Sequence, residues 1–103
     1  MIDFGKVTGF DWDEGNARKS ERKHGVTQPE AESVFFNEPL LLVEDRKHSL
    51  DEIRFHALGQ TSQNRHLHLT FTLRAEDSLI RMISARDMNR KERQIYDEAR
   101  QNS

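Results

Sequence analysis

The sequence predicts an α+β domain, a small antiparallel sheet with two helices ahead of most of its strands and one helix after them. Three observations predict it. Leu67, Leu69, Phe71 and Leu73 alternate with His66, His68, Thr70 and Thr72, the two-residue period of a strand with one buried face. Thr27-Gln28-Pro29-Glu30 and Asn89-Arg90-Lys91-Glu92 are capping-box patterns, in which a side-chain oxygen and a carboxylate satisfy the free N–H groups at a helix start. At Pro39 the apolar spacing changes from helical to strand-like.

Taken in order, Gly9-Phe10-Asp11-Trp12 reads as a short first strand, and Asp13-Glu14 puts acids where a helix begins. That helix ends at Lys23-His24-Gly25, with basic side chains in its last turn and a glycine where positive φ is needed. The second helix starts at Thr27, shows Ala31, Val34 and Phe35 on one face, and ends at Asn37-Glu38-Pro39. Leu40 to Val43 and Ile53 to Leu58 read as strands separated by a charged loop with Asp45, His48 and Ser49. Leu67 to Leu73 is the clearest strand. Leu79 to Ala85 is the next, expected antiparallel to it, and a final helix runs from Asn89 to about Arg100. No repeat, linker or low-complexity tract divides residues 1–103, so a single domain is expected.

The chain has 103 residues, 34% of them apolar and 33% charged, which permits one modest core under a heavily charged surface. Sixteen Lys and Arg against 18 Asp and Glu leave a net charge of -2, which together with the recurring apolar runs argues against disorder. No segment approaches the roughly 20 apolar residues of a membrane helix, and Met1-Ile2-Asp3-Phe4-Gly5-Lys6 lacks a signal-peptide pattern. With no cysteine, disulfides and thiolate metal sites are excluded, and a cytoplasmic location is expected. Arg18, Lys19, Arg22 and Lys23 make one basic patch and the stretch from Arg81 to Arg100 another, while Val26 to Asp45 holds acids and no Lys or Arg. Near-neutrality therefore does not exclude a polyanionic ligand, since local potential steers it.

Phe10-Asp11-Trp12-Asp13, Asn16, Lys23-His24-Gly25, Glu30-Ala31, Val34-Phe35, Pro39, His48-Ser49 with Glu52 and Arg54, and Arg81-Met82-Ile83-Ser84-Ala85-Arg86 with Glu92-Arg93 and Tyr96 occur in an ordered series. From about residue 10 to residue 98 this series resembles the BrnT toxin family. The resemblance implies a RelE-like ribonuclease fold and a toxin of a type II toxin–antitoxin pair. It also implies a BrnA-like ribbon-helix-helix antitoxin as partner, RNA as substrate, and operator DNA bound only through the toxin–antitoxin complex.

RNA cleavage without a metal needs a base for the 2′-hydroxyl proton, cations for the developing phosphorane charge and a proton for the leaving 5′-oxygen. Lys23, His24, Arg86, Glu92 and Tyr96 are the catalytic candidates, and Trp12, Arg81, Arg90 and Arg93 the RNA-binding candidates. The acids are not clustered as a two-metal site would require, so no metal or cofactor is expected.

Each candidate also has a structural reading. His24 caps a helix dipole, Trp12 and Tyr96 serve as packing anchors, Glu92 completes a capping box, and Arg86 pairs with Asp87 or Glu52. Asp87 beside Arg86 is expected to weaken phosphate attraction there. In a regular strand Arg81 and Arg86 point to opposite faces, and only a twist or bulge aligns them. His66 and His68 form an H-x-H that reads first as a solvated strand face and second as two metal ligands; a His48 triad with Ser49 and an adjacent Asp carries little weight. Besides an endoribonuclease toxin, the sequence admits a non-catalytic antitoxin- or nucleic-acid-binding module and a metal-dependent hydrolase built on His66 and His68.

Overall fold

Strands Gly9–Trp12 (β1), Leu41–Asp45 (β2), Arg54–Gln60 (β3), His66–Arg74 (β4) and Leu79–Asp87 (β5) combine with helices Glu14–His24 (α1), Gln28–Ser33 (α2) and Arg90–Gln101 (α3). They form a computed structural model that describes residues 2–45 and 52–102. The sheet order is β1-β5-β4-β3-β2. From β2 to β5 the strands run as an antiparallel meander. The expectation of a wholly antiparallel sheet is corrected at one edge, where β1 pairs with β5 in parallel. The chain between them carries two helices and three strands, a connection long enough for a parallel neighbour. Residue periodicity marks strands but not the direction of a distant partner.

Phe10, Trp12, Ile80, Met82, Ala85, Leu67, Leu69, Phe71, Phe55 and Ala57 belong to one core. The cross-strand pairs Ile80–Leu73, Met82–Phe71, Ala85–Leu69 and Leu69–Ala57 place these side chains on one face of the sheet. Against that face lie Val26, Ala31 and Val34 from the α1–α2 region, all buried. Tyr96 of α3 is also buried. No helix of the described residues is long and apolar enough to cross a membrane.

Local chemistry accounts for the helix ends. Asp13 caps α1, its carboxylate accepting from the N–H groups of Gly15 and Asn16 at 2.8 and 3.2 Å. Gly25 stops α1 at φ 64°, the left-handed conformation glycine adopts without penalty. Asn89 and Glu92 form both halves of the capping box of α3. At α2 the Thr27 hydroxyl accepts from the Glu30 N–H at 3.3 Å, but the Glu30 carboxylate is engaged by Arg65 at 2.9 Å. A guanidinium is a stronger partner for a carboxylate than a neutral backbone N–H.

Arg65 joins three elements. Its guanidinium donates to Asp87 at 2.7 and 2.9 Å, to Glu30, and to the carbonyls of His24 at 2.8 Å and Gly25 at 2.9 Å. The end of α1, the first turn of α2 and the end of β5 are thereby held together. Gly59 of β3 allows close approach of a different kind, because a Cβ there would overlap the Val34 side chain. Gly59→Ala is therefore expected to destabilise the fold by about 1–3 kcal/mol, the usual cost of overpacking, read as a lowered urea midpoint; an unchanged midpoint contradicts this packing.

Candidate active site

The face of the sheet opposite α1 and α2 is polar, and an irregularity in β5 decides which side chains reach it. Thr70 pairs with Ser84 but Phe71 pairs with Met82, so the register shifts and Ile83 is the additional residue of β5. Core burial follows the shift: Ile80, Met82 and then Ala85 are inside. Arg81, Ser84 and Arg86 consequently oppose Thr72, Thr70 and His68, alternate residues on one face of β4. The bulge aligns the two arginines that a regular strand would separate.

At one end of this face Arg86 and Glu92 make a bidentate pair, Nη1–Oε1 2.8 Å and Nη2–Oε2 2.9 Å. Arg86 also donates to the Asp87 carbonyl at 3.0 Å, so its acidic partner is neither Glu52 nor the Asp87 carboxylate. Glu52 pairs with Arg74, and Asp87 points away from Arg86 to Arg65. Glu92 accepts from the Asn89 N–H as well, and one carboxylate thus caps α3 and fixes Arg86. The hydrogen bond from Arg86 holds Glu92 down to about 2, with partial burial opposing.

His68 lies beside this pair, its Nε2 3.9 Å from Glu92. Burial, and after it the charge of the neighbouring Arg86, push His68 down to about 4. Near neutral pH the ring is therefore uncharged and its contact with Glu92 is not an ion pair. Its Nδ1 is buried without a hydrogen-bond partner among the described residues. The His56 ring is 5.0 Å from the His68 ring, centroid to centroid. His56 Nε2 is 2.7 Å from the Asp45 carboxylate, and Nδ1 is 3.0 Å from the Thr70 hydroxyl. Asp45, His56, His68, Glu92 and Arg86 thus form a continuous polar row across β2, β3, β4, α3 and β5.

The other candidates are distributed as follows. Arg81 lies in the same face but is flanked by Asp11 at 3.6 Å and Asp13 at 3.5 Å. Tyr96 is fully buried, donates to the Pro39 carbonyl at 2.7 Å and meets His66 edge to face, which anchors α3 on the sheet. Arg90 and Arg93 line a cleft with Asn64, Arg65, His66 and Asn89. Burial first, then the cations Arg93 and Arg100, lower the His66 pKa, with Asp97 opposing.

His24 belongs to the other side of the sheet. It adds to the positive field at Asp87, and its carbonyl is held by Arg65. Lys23, one residue earlier, is exposed. Trp12 packs against the core and donates from its indole to Glu32 at 2.7 Å.

His66 and His68 share a face, as the alternation predicts, but the expectation that this face is solvated is corrected. Helix α3 covers it through Tyr96 and Glu92, and Arg100 lies 3.3 Å from the His66 ring. Among the described residues no group of three His, Asp or Glu is arranged around a metal position. The His48 and Ser49 arrangement lies outside the described residues. The sequence reading missed His56 and Arg65, and it set Asp45 in a loop beside His48, whereas Asp45 ends β2 and meets His56. His56 carried a usable signal, since it falls on the polar phase of its strand between Phe55 and Ala57.

His68 and Glu92, the two groups displaced furthest, make stability depend on pH. As pH falls from 6.5 towards about 4 the unfolded chain protonates its His68 before the folded one, so the folded state loses stability. Glu92 contributes stability present above 4.5 and lost as pH falls through about 2. Urea unfolding is expected to show a continuous decline between these limits. His68→Gln should flatten its upper part, and an unaltered slope in that variant contradicts the burial of His68.

The family described as "Ribonuclease toxin, BrnT, of type II toxin-antitoxin system" matches residues 12–92. No curated protein matches the sequence. Among solved structures, the 1.1 Å crystal structure of the Brucella abortus ribonuclease toxin BrnT is similar at a TM-score of 0.62 and 17% identity, over 82% of this chain and 100% of that one. At that identity the structural likeness speaks for the fold, while the family match extends over most of the sequence. The chain belongs to the BrnT family of type II toxin–antitoxin ribonuclease toxins.

Proposed function

We propose that this chain is a single-domain, RelE-like, metal-independent endoribonuclease that acts in the cytoplasm on RNA and arrests growth by stopping translation. A BrnA-like ribbon-helix-helix antitoxin neutralises it, and the pair binds operator DNA as a complex. The observation that carries the reading is the alignment of Arg81 and Arg86 with two histidines on one sheet face, produced by the register shift in β5. Cleavage of this kind joins the 2′-oxygen to phosphorus and breaks the bond to the 5′-oxygen, leaving a 2′,3′-cyclic phosphate.

Arg86 stabilises the developing phosphorane charge. Its planar fork suits phosphate oxygens, and the guanidinium has donors beyond those given to Glu92. Glu92 positions Arg86, and Tyr96 holds α3 in place. Arg81, Arg90 and Arg93 contact the RNA backbone. Lys23 and His24 complement the dipole at the end of α1, and Trp12 serves the core.

Purified protein is expected to cleave single-stranded RNA in EDTA and leave cyclic phosphate ends. Arg86→Ala should lower cleavage by about 100-fold or more, as for loss of one preorganised donor group, while circular dichroism shows a folded protein. RNA left intact by the parent protein overturns the nuclease reading, and with antitoxin binding retained it makes the chain a binding module. Cleavage abolished by EDTA and restored by a divalent metal overturns metal independence. Full activity in a folded Arg86→Ala variant removes Arg86 from the site.

A further inference from the structure

We propose that His56, oriented by Asp45, is the residue that takes the proton from the attacking 2′-hydroxyl. The inference rests on the ribonuclease reading and adds to it a base that lies outside the motif series. Geometry carries it. Asp45 Oδ2 is 2.7 Å from His56 Nε2, and an ionised carboxylate accepts hydrogen bonds only, so the proton of a neutral ring sits on Nε2. The lone pair is then on Nδ1, where the Thr70 hydroxyl, 3.0 Å away, donates to it. A ribose 2′-hydroxyl is chemically the same kind of donor and can take the place of the Thr70 hydroxyl at that nitrogen. The His56 side chain keeps 32% of its surface accessible, against 13% for Asp45, so the imidazole is the more accessible member of the pair.

The surroundings separate His56 from its neighbours. His68 is more enclosed, with 13% of its side chain accessible, and Nε2 turned towards Glu92. Arg86 pairs across the sheet with His68, and His68 lies beside His56. Strands spaced about 4.8 Å apart put β3 and β5 roughly 10 Å apart, a gap that a ribose and its phosphate span between an imidazole and a guanidinium reaching inward. In the step, Nδ1 takes the 2′-hydroxyl proton and the 2′-oxygen bonds to phosphorus. The bond from phosphorus to the 5′-oxygen breaks, the departing oxygen takes a proton from water, and His56 returns its proton to solvent. His56 is catalytic in this account, and Asp45 is a positioning residue.

The test uses the whole chain, a labelled mixed-sequence single-stranded RNA transcript, and product ends read for cyclic phosphate. His56→Ala is expected to cleave at least about 100-fold more slowly, the scale of general-base catalysis, to bind the transcript as the parent does, and to regain activity when imidazole is added. Asp45→Asn is expected to lower kcat about tenfold with KM unchanged, the lower end of what misorienting a base removes. Should His56→Ala fail to fold, His56→Gln replaces it with the same expected loss of kcat.

Parent cleavage with a His56 variant within threefold of it overturns the dyad and leaves the nuclease reading standing. Loss of cleavage together with RNA binding, unrelieved by imidazole, makes His56 structural and also overturns the proposal. An unaltered kcat in Asp45→Asn overturns the orienting role. A parent protein without ribonuclease activity removes the underlying reading instead.

Discussion

One extra residue in a strand sets the layout of this molecule. Without Ile83 looped into β5, burying Ile80 and Met82 would require Ser84 and Arg86 to point into the core as well. A guanidinium cannot be placed there without several kcal/mol of desolvation cost. The shift resolves the conflict: Ala85 fills the core position, and Arg86 emerges beside His68 and Glu92. The requirement for a dry core on one face and the requirement for cations on the other meet in that single irregularity.

Three arginines of the polar face have carboxylate partners. Arg81 faces Asp11 and Asp13, Arg86 faces Glu92, and Arg74 faces Glu52. Such a surface attracts polyanions weakly at long range, in keeping with a net charge of -2. A phosphate is favoured only where its geometry competes with a carboxylate already in place. Preorganisation is the gain, because Arg86 needs no reordering to present its fork. Arg65 does comparable work on the opposite side, tying α1, α2 and β5 through one guanidinium, so that the basic end of α1 is a structural joint.

Much of this was legible in the residues. Alternation in β4, the glycine at 25 and the Asn89–Glu92 box each express a local rule, and each element forms where its rule applies. The motif series from Phe10 to Tyr96 pointed to the family that the comparison shows. What could not be read was non-local. The parallel pairing of β1 depends on which sheet edge is open after the meander forms. The partner of Arg86 depends on how α3 docks, and the partner of Glu30 depends on an arginine 35 residues away. His56 carries no motif; only the strand register brings Asp45, Thr70 and His68 around it.

In the reading proposed above, RNA binds the polar face of β3, β4 and β5 and not the end of α1. Backbone amide NMR of the protein titrated with an all-2′-deoxy single-stranded oligonucleotide, which binds without being cleaved, tests this most directly. The account predicts shifts concentrated at His56, His68, Arg81, Arg86 and the first turn of α3. Shifts centred on Trp12, Lys23 and His24, with the polar face silent, would contradict it.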